Sequence, residues 1–290
     1  MLTVAAIWGL NMPIMKFALG RMDPYLFNAS RLLISAIVLG VIVAWQRAPI
    51  LDRSESARSF FSQLAPVFVF AVFVGFGYQL LFLVGMDRTS AGNTALIMCA
   101  IPMWTAILAR VLINELIKPW AWGGLVIALA GTMIVTLAVM PESESGSPLI
   151  GNLIVACAAL CWAIGTVWSR PLLNRIGPLP LAFLGLAMST PFHFLVVGDG
   201  YSEFGKLVTD PWLIAALLYS GALSTGVAYV LWNRGIQILG TAHASVYQNL
   251  VPIVALIAAW YLIGEIPVML QLLGGAMIIV GVLVMRKNRD

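Results

Sequence analysis

The sequence predicts an all-α integral membrane protein, with ten transmembrane helices arranged as two inverted five-helix repeats around a central cavity. Three observations predict it. Hydrophobic residues make up 61 % of the 290 positions and charged residues only 10 %, with a mean hydropathy of +0.97, which no soluble domain could keep in water. Ten segments approach the roughly 20 apolar residues that a helix needs to cross the hydrocarbon core. The two halves also repeat. A shift of 150 takes Gly85 to Gly235, Pro102 to Pro252, Glu115 to Glu265, Gly124 to Gly274 and Gly131 to Gly281. Near the start of each half an Ala-x-x-Trp motif aligns at a slightly larger offset, Trp8 with Trp162 and Lys16 with Arg170, as a loop insertion would cause. Five segments per half is an odd number, so the second half enters the bilayer in the opposite direction. Inverted repeats of broken helices are how secondary carriers build a site at mid-membrane.

The spans fall at 2–20, 25–45, 64–85, 92–112 and 120–140 in the first repeat (1–140) and at 150–170, 179–198, 212–232, 241–263 and 267–286 in the second (150–290). Turn chemistry marks their ends: Met22-Asp23-Pro24, Pro141 with acidic and Ser residues, Gly177-Pro178 and Asp210-Pro211. The first apolar run starts at once, without a basic region or a small-residue cleavage site, and reads as a span rather than a leader. Linkers are too short for a further domain. The longest are 46–63, 140–150 and 198–211, and the three Arg in and around the first of them suit anionic headgroups.

Lys and Arg orient the chain. Arg47, Arg53, Arg58, Lys118, Arg170, Arg175, Arg234, Arg286, Lys287 and Arg289 fall on one side, and Lys16, Arg21, Arg88 and Lys206 on the other. This bias predicts a multi-pass protein of a bacterial inner (plasma) membrane with both termini cytoplasmic. The acidic loops 140–150 and 198–211 then face outward. Trp45, Trp120, Trp122 and Trp212 sit at predicted interfaces and read as anchors. Cys99, Cys157 and Cys161 lie in apolar spans and read as free thiols. Cys157 and Cys161 are one turn apart, but no His or carboxylate joins them, so no metal site is expected. No cofactor motif is expected either, and the basic pI reflects loop charges rather than a nucleic-acid face.

In the second part of each repeat, small residues are followed by Pro, then Glu, then a Gly-rich helix. The first copy reads Ala91-Gly92-Asn93-Thr94-Ala95, Pro102, Glu115, Gly124, Gly131. The second reads Ala242-His243-Ala244-Ser245, Pro252, Glu265, Gly274, Gly281. With Trp8-Gly9 and Arg31, this resembles the drug/metabolite transporter superfamily, in its ten-helix branch with two EamA-type repeats, and bacterial exporters of aromatic amino acids within it. The resemblance covers nearly the whole chain. It implies a basket of helices around a cavity lined by spans 1, 3, 4, 6, 8 and 9, with spans 5 and 10 packed together at one side. It implies transport of amino acids, other metabolites, nucleotide sugars, triose phosphates or drugs, without choosing among them.

The residues narrow that range. Pro102 and Pro252 lie mid-span, where a missing N–H frees the carbonyl four residues earlier, at Met98 and Gln248. In lipid such a carbonyl needs another partner. Two readings stay open: kinks that shape the basket and act as hinges, and carbonyls that coordinate a substrate ammonium. Glu115 and Glu265 follow their prolines by thirteen residues, about 20 Å along a helix. This places them at span ends, in contact with loop donors or neighbouring helix ends. All twelve acidic residues lie in loops or near span ends. Proton-driven pumps keep a buried carboxylate as relay. The small multidrug-resistance relatives carry a Glu in their first span, and alignment on Met15-Lys16-Phe17 puts Trp8 there. Facilitated diffusion or exchange is therefore expected, with a proton-coupled drug or metabolite antiporter as the alternative. His243 is the candidate titrating group; its other reading is a hydrogen bond at a helix end. His193 is expected outside the cavity, in a structural role. Arg31 and Arg110 lie within about two turns of span ends, so their heads are expected to snorkel to the interface. The alternative for Arg31, and for Lys16, is to hold a substrate carboxylate.

The candidate cavity combines Trp8 and Asn11 from span 1, Tyr78 and Gln79 from span 3, Thr94 and Met98 from span 4, Trp162 and Thr166 from span 6, Tyr229 from span 8, and Tyr247 and Gln248 from span 9. Mid-membrane polar groups face the bundle interior. Asn11, Gln79, Thr94 and Gln248 are therefore expected inside, either to bind substrate or to tie helices together. Trp, Tyr and Met give large adaptable contacts, and few cations stand at depth to hold phosphate. The expected substrate is a small neutral or zwitterionic metabolite, most of all an amino acid with a hydrophobic or aromatic side chain. An enzyme is not expected: there is no intramembrane Asp pair, His-x-x-x-His or Gly-x-Ser-x-Gly. A channel fits a two-fold inverted repeat less well than alternating access does. The Gly124/Gly131 and Gly274/Gly281 pairs suit close helix packing, and the resemblance implies that this face joins spans 5 and 10 within one chain, so that a monomer suffices.

Overall fold

A computed structural model describes residues 1–48, 57–88, 97–98, 100–137, 148–263 and 268–286, and every regular element among them is helical. In order they are α1 (Leu2–Leu19), α2 (Pro24–Trp45), α3 (Ala57–Phe70), a π-helical segment π1 (Ala71–Tyr78), α4 (Gln79–Arg88), α5 (Ile101–Leu112), α6 (Pro119–Leu137), α7 (Pro148–Leu173) and α8 (Pro178–Leu195). A 3-10 turn at Gly198–Glu203 and the short α9 (Lys206–Thr209) lead to α10 (Pro211–Leu218), π2 (Tyr219–Val227) and α11 (Ala228–Leu239). The chain ends in α12 (Thr241–Val246), a 3-10 turn (Tyr247–Leu250), α13 (Val251–Ile263) and α14 (Met269–Arg286). Thr94, Cys99, Glu265, residues 49–56 of the first long linker and most of the 140–150 linker lie outside the described residues.

Helix starts follow local chemistry. Proline opens α2, α6, α7, α8 and α10, where its missing N–H costs nothing. Asp23 caps α2 by accepting from the Leu26 N–H at 2.8 Å. Asp210 caps α10 through the N–H groups of Trp212 (2.9 Å) and Leu213 (3.4 Å). The break between α11 and α12 falls at Gly240, whose φ of +83° disfavours other residues. Among the described residues, six helical stretches are long and apolar enough to cross a membrane: Leu2–Leu19, Pro24–Trp45, Leu64–Gly85, Leu149–Leu173, Pro178–Leu195 and Pro211–Leu239. Ile101–Leu112, Pro119–Ile134 and Met269–Met285 are apolar but shorter, and the expected span 241–263 is broken into three pieces.

Packing between the halves is reciprocal. α6 lies against α14, and α2 against α8. α7 packs on α4 and α5, while α1 packs on α11 and α13. The glycines give the direction. A Cβ on Gly124 would meet Gly281 and Met285, and one on Gly131 would meet Gly274 and Ile278. Rising numbers in α6 therefore meet falling numbers in α14, and the two helices run antiparallel. In the same way Asn28 of α2 meets His193 of α8 while Gly40 meets Phe183. Equivalent helices thus run in opposite senses, the relation an inverted repeat demands. Gly85 approaches Val155, and its counterpart Gly235 approaches Met1.

The outer surface is apolar. Leu33, Ile37, Val41 and Trp45 form an exposed stripe at four-residue spacing on α2, as a lipid-facing helix requires. Trp45, Trp120 and Trp212 are exposed, whereas Trp122, expected as an anchor, packs partly into the α6–α14 core. The α1–α2 turn meets the 198–210 loop through the Arg21–Asp210 ion pair (3.4 Å) and through the Asp23 N–H, which donates to Glu203 (2.6 Å), while Lys206 and Glu203 pair within the loop (2.9 Å). The Lys206 ammonium, and then the Asp23 N–H, hold the partly exposed Glu203 carboxyl below the usual carboxylate range. A cleft of about 510 Å³ lies at this end, lined by Arg21, Asp23, Glu203 and Lys206 among others, and contains none of the expected cavity residues.

Candidate functional site

The aromatic residues expected in the cavity come together. The Trp8 and Trp162 rings, equivalent in the two repeats, lie 5.8 Å apart edge to face. Tyr78 is 4.7 Å from Trp162, and Tyr229 is 6.1 Å from it while stacked on Phe70 at 6.3 Å. Trp232, absent from the sequence reading, completes the group at 5.3 Å from Trp8 and 6.1 Å from Trp162. Its signal was its place one turn beyond Tyr229 on the same helix face. Met98 packs against this cluster, and Thr166 is buried. Tyr247 is not brought in: it packs beside Val246 and Ile278 against α6 and α14. Trp162 Nε1, Asn11 Oδ1, Gln248 Oε1 and both amide atoms of Asn233 are buried without a hydrogen-bond partner. Orphan polar groups of this kind are costly and mark places where water or a ligand is expected.

One of the two carbonyls expected to stand open, that of Gln248, has a partner close by in the chain. Pro102 is in the first turn of α5, and Pro252 is in the first turn of α13, where the 3-10 stretch Tyr247–Leu250 joins α12 to α13 in one helical run. The Gln248 carbonyl is taken by the Val251 N–H in the 3-10 turn. The π-helical segments supply open carbonyls instead. Gly75 O of π1 meets His193 Nε2 at 2.8 Å, and Ser224 O of π2 accepts from Trp8 Nε1 at 3.1 Å. Tyr219 at the start of π2 donates to Ile7 O at 3.1 Å. The two π segments occupy equivalent places in the two repeats. No proline lies within them, and the sequence signal for them is the recurrence of Gly75…Tyr78 as Gly226…Tyr229.

Arg31 corrects the snorkelling expectation. It is 6 % exposed, and its head points into the bundle. Nε donates to Asn28 Oδ1 (2.9 Å), Nη1 to Thr225 Oγ1 (3.3 Å) and weakly to Met15 Sδ (3.9 Å), and Nη2 to Gln79 Oε1 (2.6 Å). Asn28 Nδ2 meets His193 Nδ1 at 3.2 Å. His193, expected outside the cavity, thus belongs to a buried network joining α2, α8, π1 and π2. Arg110 is exposed, as a snorkelling head should be.

Glu115, at the end of span 4, meets the expected neighbouring helix end. It accepts from the N–H groups of Thr241 and Ala242 at 3.1 Å each, and from the Thr241 hydroxyl. The first repeat thereby caps α12 of the second, the helix that carries His243. Charge-assisted bonds of this type are worth about 1.5–3 kcal/mol. Glu115→Ala is expected to destabilise the protein by about 2 kcal/mol, read as a lower thermal unfolding midpoint in detergent, with Glu115→Gln losing less.

The model of a family described as EamA-like transporter family matches residues 1–137 and 149–287. The uncharacterized transporter YoaV of Bacillus subtilis is 26 % identical over 288 residues, covering 97 % of this chain and 93 % of that protein. A probable amino-acid metabolite efflux pump of Salmonella typhimurium is 24 % identical over 289 residues, covering 97 % and 91 %. A crystal structure at 18 % identity superposes with a TM-score of 0.78 over 100 % of this chain and 98 % of its own, which shows a shared fold.

Proposed function

This chain belongs to the EamA-like transporter family, and from that premise we propose that it exports small neutral or zwitterionic metabolites, amino acids with hydrophobic or aromatic side chains above all. The reading places it in a bacterial inner membrane as ten spans in two inverted repeats, 1–140 and 150–290, with both termini cytoplasmic. It works by alternating access, as a facilitator or exchanger rather than an enzyme. A monomer suffices for this.

The observation that carries the reading is the aromatic cluster. Trp8 and Tyr78 from the first repeat meet Trp162, Tyr229 and Trp232 from the second. A ring or branched aliphatic side chain matches such a surface. Because each repeat supplies part of it, relative motion of the repeats takes the cluster apart, as a carrier needs. Buried amides and an indole N–H without partners give the polar end of an amino acid something to meet. The family's description as transporters and the naming of one relative as a probable amino-acid metabolite efflux pump agree with this.

The test is uptake of radiolabelled phenylalanine and tryptophan into proteoliposomes, with and without an imposed pH gradient. Saturable uptake indifferent to the gradient is expected. Uptake that follows the gradient would replace the facilitator with a proton-coupled antiporter, for which His243 and the buried His193 are the groups to substitute. Absence of uptake of either amino acid would discard the substrate class.

A further inference from the structure

A charged head inside a membrane bundle is expensive unless a counter-charge meets it. Arg31 is more than nine-tenths buried, and its partners among the described residues are two amides, a hydroxyl and a thioether. Among the described residues the ion pairs are Arg21–Asp210 and Lys206–Glu203, both at the loop end. The guanidinium is thus held in place by neutral oxygens, with no carboxylate on it.

Its position is as telling as its charge. Met15, Gln79 and Thr225 belong to the first, third and eighth spans, so the α2 side chain reaches between helices expected to wall the cavity. Gln79 directly follows Tyr78, whose ring touches Trp162 at 4.7 Å. The cation's partner is therefore the chain neighbour of a member of the aromatic cluster. An arginine presents a planar fork that binds a carboxylate bidentately and more strongly than it binds an amide.

We propose that Arg31 is the seat of the substrate's carboxylate, and that Gln79 and Thr225 occupy its N–H groups until that carboxylate arrives. This rests on the transporter reading above and deepens it: the substrate class is carboxylates with an apolar body. The carboxylate displaces Gln79 Oε1 from Nη2, and the body lies on the Tyr78–Trp162 side. Thr225 lies in π2 and Gln79 immediately follows π1, so exchanging these partners for substrate changes what joins the two repeats. Recognition and alternating access are coupled at one side chain.

The experiment uses the full chain in detergent and titrates three ligands by intrinsic tryptophan fluorescence: phenylalanine, phenethylamine, which lacks the carboxylate, and 3-phenylpropionate, which lacks the ammonium. Phenylalanine and 3-phenylpropionate are expected to bind at least ten-fold more tightly than phenethylamine. Gln79→Glu puts a carboxylate on the guanidinium. It is expected to keep or raise the unfolding midpoint while weakening both carboxylate ligands at least ten-fold. Arg31→Gln is expected to weaken them similarly, with partial recovery in Arg31→Lys. Binding of 3-phenylpropionate that depends on Arg31, without binding of phenylalanine, upholds the seat and overturns the amino-acid reading. Equal binding of phenethylamine, unchanged carboxylate affinity in Gln79→Glu, or no binding of either carboxylate overturns the seat and leaves Arg31 as a strut between helices.

Discussion

Trp162→Ala is expected to abolish measurable uptake, and Trp162→Phe to lower it by about ten-fold, equivalent to 1.4 kcal/mol, at nearly unchanged stability. The residue stands at the middle of the site, with Trp8, Tyr78, Tyr229 and Trp232 all within ring contact. Truncation to alanine removes the shared surface and opens a cavity, at a cost of about 3–5 kcal/mol to the fold. That variant confounds function with stability. Phenylalanine separates them. It keeps most of the ring and removes an indole N–H that is buried without a partner. A buried unsatisfied donor costs about 1–3 kcal/mol, so its removal offsets the lost ring area and holds the unfolding midpoint level. If the N–H serves the substrate, uptake falls regardless. Unchanged uptake in Trp162→Phe, at normal protein yield, would reduce Trp162 to a space-filling ring.

Gly281→Ala is expected to destabilise the protein by about 3 kcal/mol or more, a large effect for one added methyl group. The new Cβ would lie 2.5 Å from both Ala128 N and Gly124 O. These are backbone atoms of the opposing helix and cannot rotate away as a side chain can, so α6 and α14 must separate. Their packing supports the interface between the two repeats, and much of the association free energy of such helices comes from close backbone contact. Gly123→Ala is the control. A Cβ at Gly123 meets nothing within 4 Å, so no loss of stability is expected. Thermal unfolding in one detergent compares the pair, and a similar midpoint in both variants would contradict this packing.

The aromatic half of the site was legible because the repeat register is a one-dimensional property. Trp8 and Trp162 align in sequence, and a near-two-fold arrangement brings equivalent positions together. Glu115 was legible because its distance from Pro102 fixes its height in the bilayer. The Arg31 network was not. Counting residues to the end of α2 gives depth, but says nothing of the direction in which a side chain leaves the helix. That direction is set by neighbours, here Gln79, Thr225 and Met15, which are far away in sequence. Pro252 is a related case: a proline shows that one helical hydrogen bond is missing, but the 3-10 stretch that gives the Gln248 carbonyl another partner is not written in the proline itself. Tyr247 was drawn to the cavity by its neighbour Gln248, yet the 3-10 turn sends its ring to the α6–α14 side.

The sequence by itself determined the solvent, the helical class and the repeat. A chain with 61 % hydrophobic residues has to satisfy its backbone internally, and matched glycines, prolines and glutamates at one offset admit few arrangements. Tertiary structure alone decided which carbonyls stand open, through π segments that carry no local signature. It also decided where the buried charge points. A guanidinium can stay at depth only where several helices together supply its hydrogen bonds, and that set of partners exists only once the halves have packed.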